Sequence, residues 1–407
     1  MRVFIPVFSP STGTWGSLTR VLAVAGALGR KGHEVAFCAS GPITGRLEAA
    51  GYKVYEMPAA TMFGLPEGIS RRLAARSQNA SIPMPQGRSV GSVWFVLKLS
   101  GMTGYPYLSR LVEAELDAVG DFRPDLFFTE MDPGAFVVSK LAGIRLFATY
   151  ASVMARGIGS GAWRELDRSM ARILSDHGSA RPIPSGLYPD PDVVKIIPSI
   201  PELEEAGLGG DEYHFVGSLL KSFRSGGDPD FDFEPGKRYV FVYVGTGSVS
   251  MKRVMKVLPE VFPAGSDTVC LVGSQSARGE TRLGNVVIRP FFDGDAAIPR
   301  CDWVICHGGH NTIIQSLLAG KPLLIFPGPI FERRFNASMV AKAGAGRFAE
   351  LGDFNPAWLS AALRDQPRYA ACAAALGSRI ASHGGPAEVV ALMERRAKLP
   401  GSADSPQ

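Results

Sequence analysis

Cys306-His307-Gly308-Gly309-His310-Asn311-Thr312 lies between a short apolar run, 303–306, and a segment with helical spacing, 311–319. A strand, a glycine loop and a helix follow from that order. Gly308 and Gly309 let the backbone come close to a ligand. Asn311 and Thr312 open the helix, where unpaired amides and the helix dipole favour an anion. His307 adds a donor at the same spot. Ligands of doubly wound sheets bind at the carboxyl ends of the strands, so the segment reads as a phosphate cradle. The glycines alone would fit a plain turn with an asparagine cap equally well.

Outward from this stretch the pattern repeats. Apolar runs at 239–244, 268–272, 286–289 and 322–326 alternate with helical stretches at 251–261 and 336–343. The loop Gly245-Thr246-Gly247-Ser248 again places glycine and hydroxyl groups at a strand end, a composition suited to phosphate oxygens. Towards the N-terminus, runs at 3–8, 34–38, 126–129 and 145–149 alternate with helical stretches at 18–31, 93–119, 133–141 and 163–174. A strand, helix, strand unit requires a right-handed crossover and a parallel sheet. Residues 61–91, with Arg71, Arg72 and Arg76 and a Pro/Ser/Gly-rich end, read as a long surface loop. The middle, 182–236, is rich in Pro, Gly and Asp, and 225–230 has the composition of an exposed linker. The fold class is therefore α/β, in two halves. The expected division is 1–215, a linker at 216–236, a second domain at 237–380, and a helix at 381–400 crossing back to the first domain.

Composition narrows the function. The 407 residues carry a net charge of +5 spread along the chain, too weak a balance to argue for nucleic acid. The five cysteines match no zinc spacing and read as reduced thiols. No apolar run is long enough for a membrane span. The start of the chain lacks a charged leader and cleavage site, which points to the cytoplasm.

His307-Gly308-Gly309, Asn311-Thr312, Gln315, Gly320-Lys321-Pro322, Pro327 and Asn336-Ala337 resemble the donor signature of family 1 glycosyltransferases. Those enzymes have the GT-B architecture, two Rossmann-like domains facing each other across a cleft. Gly32-His33-Glu34-Val35 and Phe215-Val216-Gly217-Ser218-Leu219 resemble two further family segments, so the likeness runs along nearly the whole chain. The resemblance implies an inverting, metal-independent transfer of a sugar from a UDP- or dTDP-sugar to a small-molecule, natural-product-like acceptor. It implies no cofactor.

Residue by residue, the resemblance places His307, Gly308, Gly309, Asn311 and Thr312 on the diphosphate, with Gly247 and Ser248 touching a phosphate from the other side. It places the backbone of Arg289 to Phe291 against the base. Gln315 replaces the glutamate that binds the ribose, so charge assistance is lost there. Glu332 and Arg333 occupy the Asp-Gln positions that hold the sugar. Glu332 keeps a carboxylate, which read by itself is equally a first-turn acid favoured by the helix dipole. Arg333 puts a cation in place of an amide, after a loop about one residue longer than the family's, a change that suits an acidic or unusual sugar.

The catalytic base departs from the pattern. The family's Gly-His pair falls on Gly16-Ser17, and a serine hydroxyl is not a competent base alone. Asp132 and Glu130, after the strand at 126–129, could act directly or through a water. Either could equally cap the helix that starts at Pro133. Glu332 is a third candidate, and an acceptor that is already nucleophilic would need no strong base. His310 is expected to border the sugar or solvent. Trp15, Phe63 and Trp94, with Phe95, Met102 and Tyr105, could line an apolar acceptor cleft, although each also suits ordinary packing. Two other readings remain: an epimerase or hydrolase on the same fold, or a sugar-nucleotide-binding helper without activity.

Overall fold

A computed structural model describes the chain except for residues 8–14, 67, 71, 74–88, 90, 180–186, 221–230, 246, 275–276 and 398–407. Most of the expected loop at 61–91, with Arg71 and Arg76, and residues 221–230 of the expected linker lie outside the described residues.

The first sheet contains β1 (Arg2–Pro6), β2 (Glu34–Ala39), β3 (Lys53–Glu56), β4 (Leu126–Thr129), β5 (Arg145–Thr149), β6 (Val194–Ile197) and β7 (Tyr213–Phe215). Its order is β3-β2-β1-β4-β5-β6-β7, and neighbouring strands run parallel. The helices of this half are α1 (Trp15–Arg30), α2 (Pro42–Ala49), α3 (Val93–Leu99), α4 (Tyr105–Phe122), α5 (Pro133–Ala142) and α6 (Gly161–Asp176).

The second sheet contains β8 (Arg238–Tyr243), β9 (Thr268–Gly273), β10 (Thr281–Leu283), β11 (Val286–Arg289), β12 (Trp303–Cys306), β13 (Leu323–Ile325) and β14 (Gly346–Phe348). Its order is β10-β11-β9-β8-β12-β13-β14, parallel except for the β10–β11 pair. Its helices are α7 (Met251–Val261), α8 (Gly294–Ala297), α9 (His310–Leu318), α10 (Phe331–Lys342), α11 (Pro356–Arg364) and α12 (Gln366–Ala381), before the last helix, α13 (Pro386–Ala397).

The inner strands are mostly apolar because helices cover both faces. β4 and β12 are buried at every position. On α1, Leu18, Val21, Ala25 and Leu28 are all buried, and Gly32 at φ 77° ends the turn after it. α13 returns to the first half: Val389, Val390, Leu392 and Met393 share one buried cluster with Leu18, Val21 and Leu28. His33 Nε2 lies 3.0 Å from a carboxylate oxygen of Glu394 on α13.

The region 182–236 is more ordered than its Pro/Gly content suggested, since β6 and β7 lie within it. β6 escapes an apolar pattern because it carries Lys195, only 1% exposed, whose Nζ donates to the Asp190 carbonyl at 2.6 Å.

Strand order fixes where a ligand belongs. It reverses between β1 and β4 in one sheet and between β8 and β12 in the other. The crevice at the carboxyl ends of those strands is the favoured site of a doubly wound fold. The loops after β1, β4, β8 and β12 therefore carry the site.

Candidate active site

After β12 the chain turns sharply. Gly308 has φ 86°, and a Cβ there would stand 2.9 Å from the Arg333 carbonyl. A Cβ on Gly309 would stand 2.8 Å from His307 Nε2. Close packing thus disfavours a side chain at both glycines, and Gly308 also needs glycine's backbone freedom. Asn336 Nδ2 donates to the Gly308 carbonyl at 3.0 Å and pins the loop from α10. Gly309, the N-cap of α9, has no side chain to offer the helix's first amides, a start suited to an anion. The helix starts at His310, one residue ahead of the expected Asn311.

His307 is 8% exposed, its ring 5.4 Å from that of Tyr243. Its Nδ1 lies 3.3 Å from both the Gly245 amide and the Tyr243 carbonyl. Burial, aided by Arg333, pushes its pKa down to about 3, so the ring is neutral at physiological pH. A neutral ring offers a diphosphate a hydrogen bond rather than a charge. His310 is also held neutral, at about 4, by burial and by Arg20, and its Nε2 lies 2.9 Å from the Pro198 carbonyl. It meets the loop after β6 of the first half and is half-buried.

Facing this loop, Gly247 has φ 79°, and the Ser248 hydroxyl donates to the Phe326 carbonyl at 2.5 Å. Gln315 Nε2 donates to Asp295 Oδ1 on α8 at 2.5 Å. A carboxylate therefore does stand beside Gln315, supplied by a neighbouring helix. Asp295 was missed because no spacing in the sequence links 295 to 315. Arg289 pairs with Glu280 and sits over Phe231 and Phe292, while Phe291 is 75% exposed. Glu332 is exposed on the first turn of α10, and Arg333, beside it, is largely buried.

From the first domain, the key residue is one that the sequence reading passed over. Arg20 Nε donates to Glu130 Oε2 at 3.0 Å, and its Nη2 donates to Glu130 Oε1. Its Nη1 donates to Asn311 Oδ1 at 2.7 Å. Burial opposes the guanidinium's charge, but Glu130 outweighs it and the pKa of Arg20 is raised. Glu130 is 1% exposed and accepts at both oxygens from one cation, which corrects its reading as a free base. Arg20 lay unnoticed because helical periodicity places it on α1 among apolar residues.

Met131, between the two candidate carboxylates, has φ 61°, a conformation uncommon for a side chain of its size. Asp132 is fully buried, caps α5 through the Gly134 amide at 2.8 Å, and its carboxyl also shares a hydrogen bond with that of Glu115. Burial pushes its pKa up to about 6, against the bond from Gly134. Glu115, also fully buried, is pushed well above the usual range by burial and then by Asp132. Ser17 is 7% exposed beside Gly16, whose carbonyl accepts from Asn311 Nδ2 at 3.3 Å.

On the acceptor side, the Trp15 side chain lies outside the described residues. Phe63 is 60% exposed on a short turn. Trp94 is fully buried, 6.5 Å from the Tyr188 ring, so its reading as a cleft wall is corrected: it is core. Its neighbour Phe95 is exposed. Among the described residues no three His, Cys, Asp or Glu side chains group closely enough to hold a metal ion, and no helix is long and apolar enough to cross a membrane.

Residues 240–371 match the glycosyltransferase family 28 C-terminal domain. One relative is the UDP-N-acetylglucosamine--N-acetylmuramyl-(pentapeptide) pyrophosphoryl-undecaprenol N-acetylglucosamine transferase of Corynebacterium efficiens. It is 29% identical over 143 residues, 34% of this chain and 40% of its own. The chain thus spans less than half the length of that relative. Among solved structures, the glycosyltransferase of kitacinnamycin superposes with a TM-score of 0.75 at 19% identity, covering 98% of this chain and 99% of its own. The glycosyltransferase VinC in complex with dTDP superposes with a TM-score of 0.69 at 17% identity, over 98% and 100%. The fold is GT-B, and its second half is a glycosyltransferase domain.

Proposed function

We propose that the protein transfers a sugar from a UDP- or dTDP-sugar to a small-molecule acceptor, with inversion at the anomeric carbon. The uncapped start of α9, reached through Gly308 and Gly309 at the carboxyl end of β12, carries this reading. The family match over 240–371 and a dTDP-bound structure of the same fold support it. The leaving diphosphate is stabilised by the amides of α9, with Gly247 and Ser248 opposite, and no metal is required. The Asp295–Gln315 pair and Phe291 meet the nucleoside. Glu332 and Arg333 hold the sugar.

Asp132 takes the role of base, directly or through a water, because it follows β4 at the switch point and its pKa is near the working range. Ser17 orients the acceptor. The exposed Phe63 and Phe95 contribute to the acceptor cleft. The chain acts as a soluble cytoplasmic enzyme with a natural-product-like acceptor.

The test is the configuration of the product. Purified protein, a panel of UDP- and dTDP-sugars and a panel of phenolic and alcoholic acceptors are incubated, and the product is read by mass and by proton NMR of the anomeric position. A glycoside of inverted configuration supports the reading. A retained configuration contradicts it.

A further inference from the structure

Arg20 is placed where an empty protein has little reason to put a cation. Its Nη1 touches Asn311, the second residue of α9, and a helix N-terminus is itself positive. The positive helix end works against an arginine so placed. Glu130 offsets the charge from the other side, but a buried ion pair gains little over an apolar contact once desolvation is counted. Of the five N–H groups of a guanidinium, three are taken by Glu130 and Asn311, which leaves two for a ligand. The backbone also holds the pair in place. Val7 at the end of β1 bridges Glu130 at the end of β4, and Met131 takes a left-handed turn directly after it.

We infer that Arg20 is a donor-binding residue supplied across the cleft by the first domain. It grips the diphosphate opposite the start of α9, and Glu130 is the positioning residue that aims its fork. This rests on the nucleotide-sugar reading above. It makes the anion site a two-domain structure, in which the donor's diphosphate ties α1 to α9. It also gives Glu130 a function other than proton abstraction.

Binding of UDP and dTDP, and of uridine and thymidine, is measured by calorimetry on the intact wild type, Arg20→Gln and Arg20→Lys. Arg20→Gln is expected to weaken the nucleoside diphosphate about tenfold or more, equal to about 1.4 kcal/mol, and to leave the nucleoside unchanged. Arg20→Lys keeps the charge without the fork and should fall between the two, and it serves if Arg20→Gln does not fold. A variant that binds the diphosphate as tightly as wild type overturns the inference. So does an equal loss for diphosphate and nucleoside, which would mark a merely structural role.

Glu130→Gln combined with Arg20→Gln should lose no more than Arg20→Gln alone, because Glu130 acts through Arg20. A summed loss would remove Glu130 from that role. If the wild type binds neither nucleoside diphosphate, it is the nucleotide-sugar reading that fails.

Discussion

Arg20 Nη1 lies 2.7 Å from Asn311 Oδ1, a bond from the first helix of one domain to the anion-binding helix of the other. Gly16 completes the link through its carbonyl, 3.3 Å from Asn311 Nδ2. The two topological switch points are thus linked across the crevice by α1 and α9. Function then depends on the geometry of the β12 loop, on the polar groups at the nucleoside end, and on the carboxylates after β4.

Gly308→Ala should distort the phosphate loop. The new methyl would stand 2.9 Å from the Arg333 carbonyl and 3.0 Å from Ile325 Cγ2, at a φ of 86°. The left-handed backbone alone costs roughly 1–2 kcal/mol for a residue with a Cβ. Urea unfolding should show a loss of at least that size, and donor KM should rise. Unchanged stability and KM would mean that the loop is less constrained than the structure shows.

Gln315→Glu would set a second carboxylate against Asp295, whose Oδ1 now accepts from Gln315 Nε2 at 2.5 Å. Losing that hydrogen bond costs about 1 kcal/mol, and like charges add to the loss. Repulsion raises the pKa of one carboxyl in the folded state above its unfolded value. The stability that accompanies the bound proton is present at low pH and is lost as pH rises through the raised value. The variant should therefore be less stable than wild type at pH 8 and approach it at pH 4. Equal stability at both pH values would count against a close Asp295–Gln315 contact.

Asp132→Asn separates two roles of one side chain. An amide oxygen can still accept from the Gly134 amide, so the cap is kept. The folded pKa, about 6, is raised above the ordinary 3.8, so the wild type loses stability as pH climbs between those values. Asparagine cannot ionise and should gain stability over wild type above pH 7, with no gain near pH 4. If Asp132 is the base, kcat should fall by about 100-fold or more. The same stability gain with full activity would leave Asp132 as a cap alone.

Much of this could be read from the chain. The runs at 239–244 and 303–306 are apolar throughout, so burial on both faces shows as composition. The glycines at 308 and 309 marked the loop because the freedom of Gly308 is needed where the backbone turns. What stayed hidden depends on distance in space. Asp295 and Gln315 are twenty residues apart and meet only because α8 and α9 flank one strand end. Glu130 and Arg20 are 110 residues apart, and nothing in either local sequence says that one neutralises the other. Trp94 read as a cleft residue because an aromatic in a helical stretch fits a pocket wall and a core equally well.

The transferase reading is tested most directly by following nucleoside diphosphate release from UDP- and dTDP-sugars with and without an acceptor. Release that requires the acceptor, with one glycoside formed per nucleotide freed, is the predicted result. An epimerised sugar nucleotide or steady release without any acceptor, or tight donor binding with no turnover under every acceptor, would contradict it.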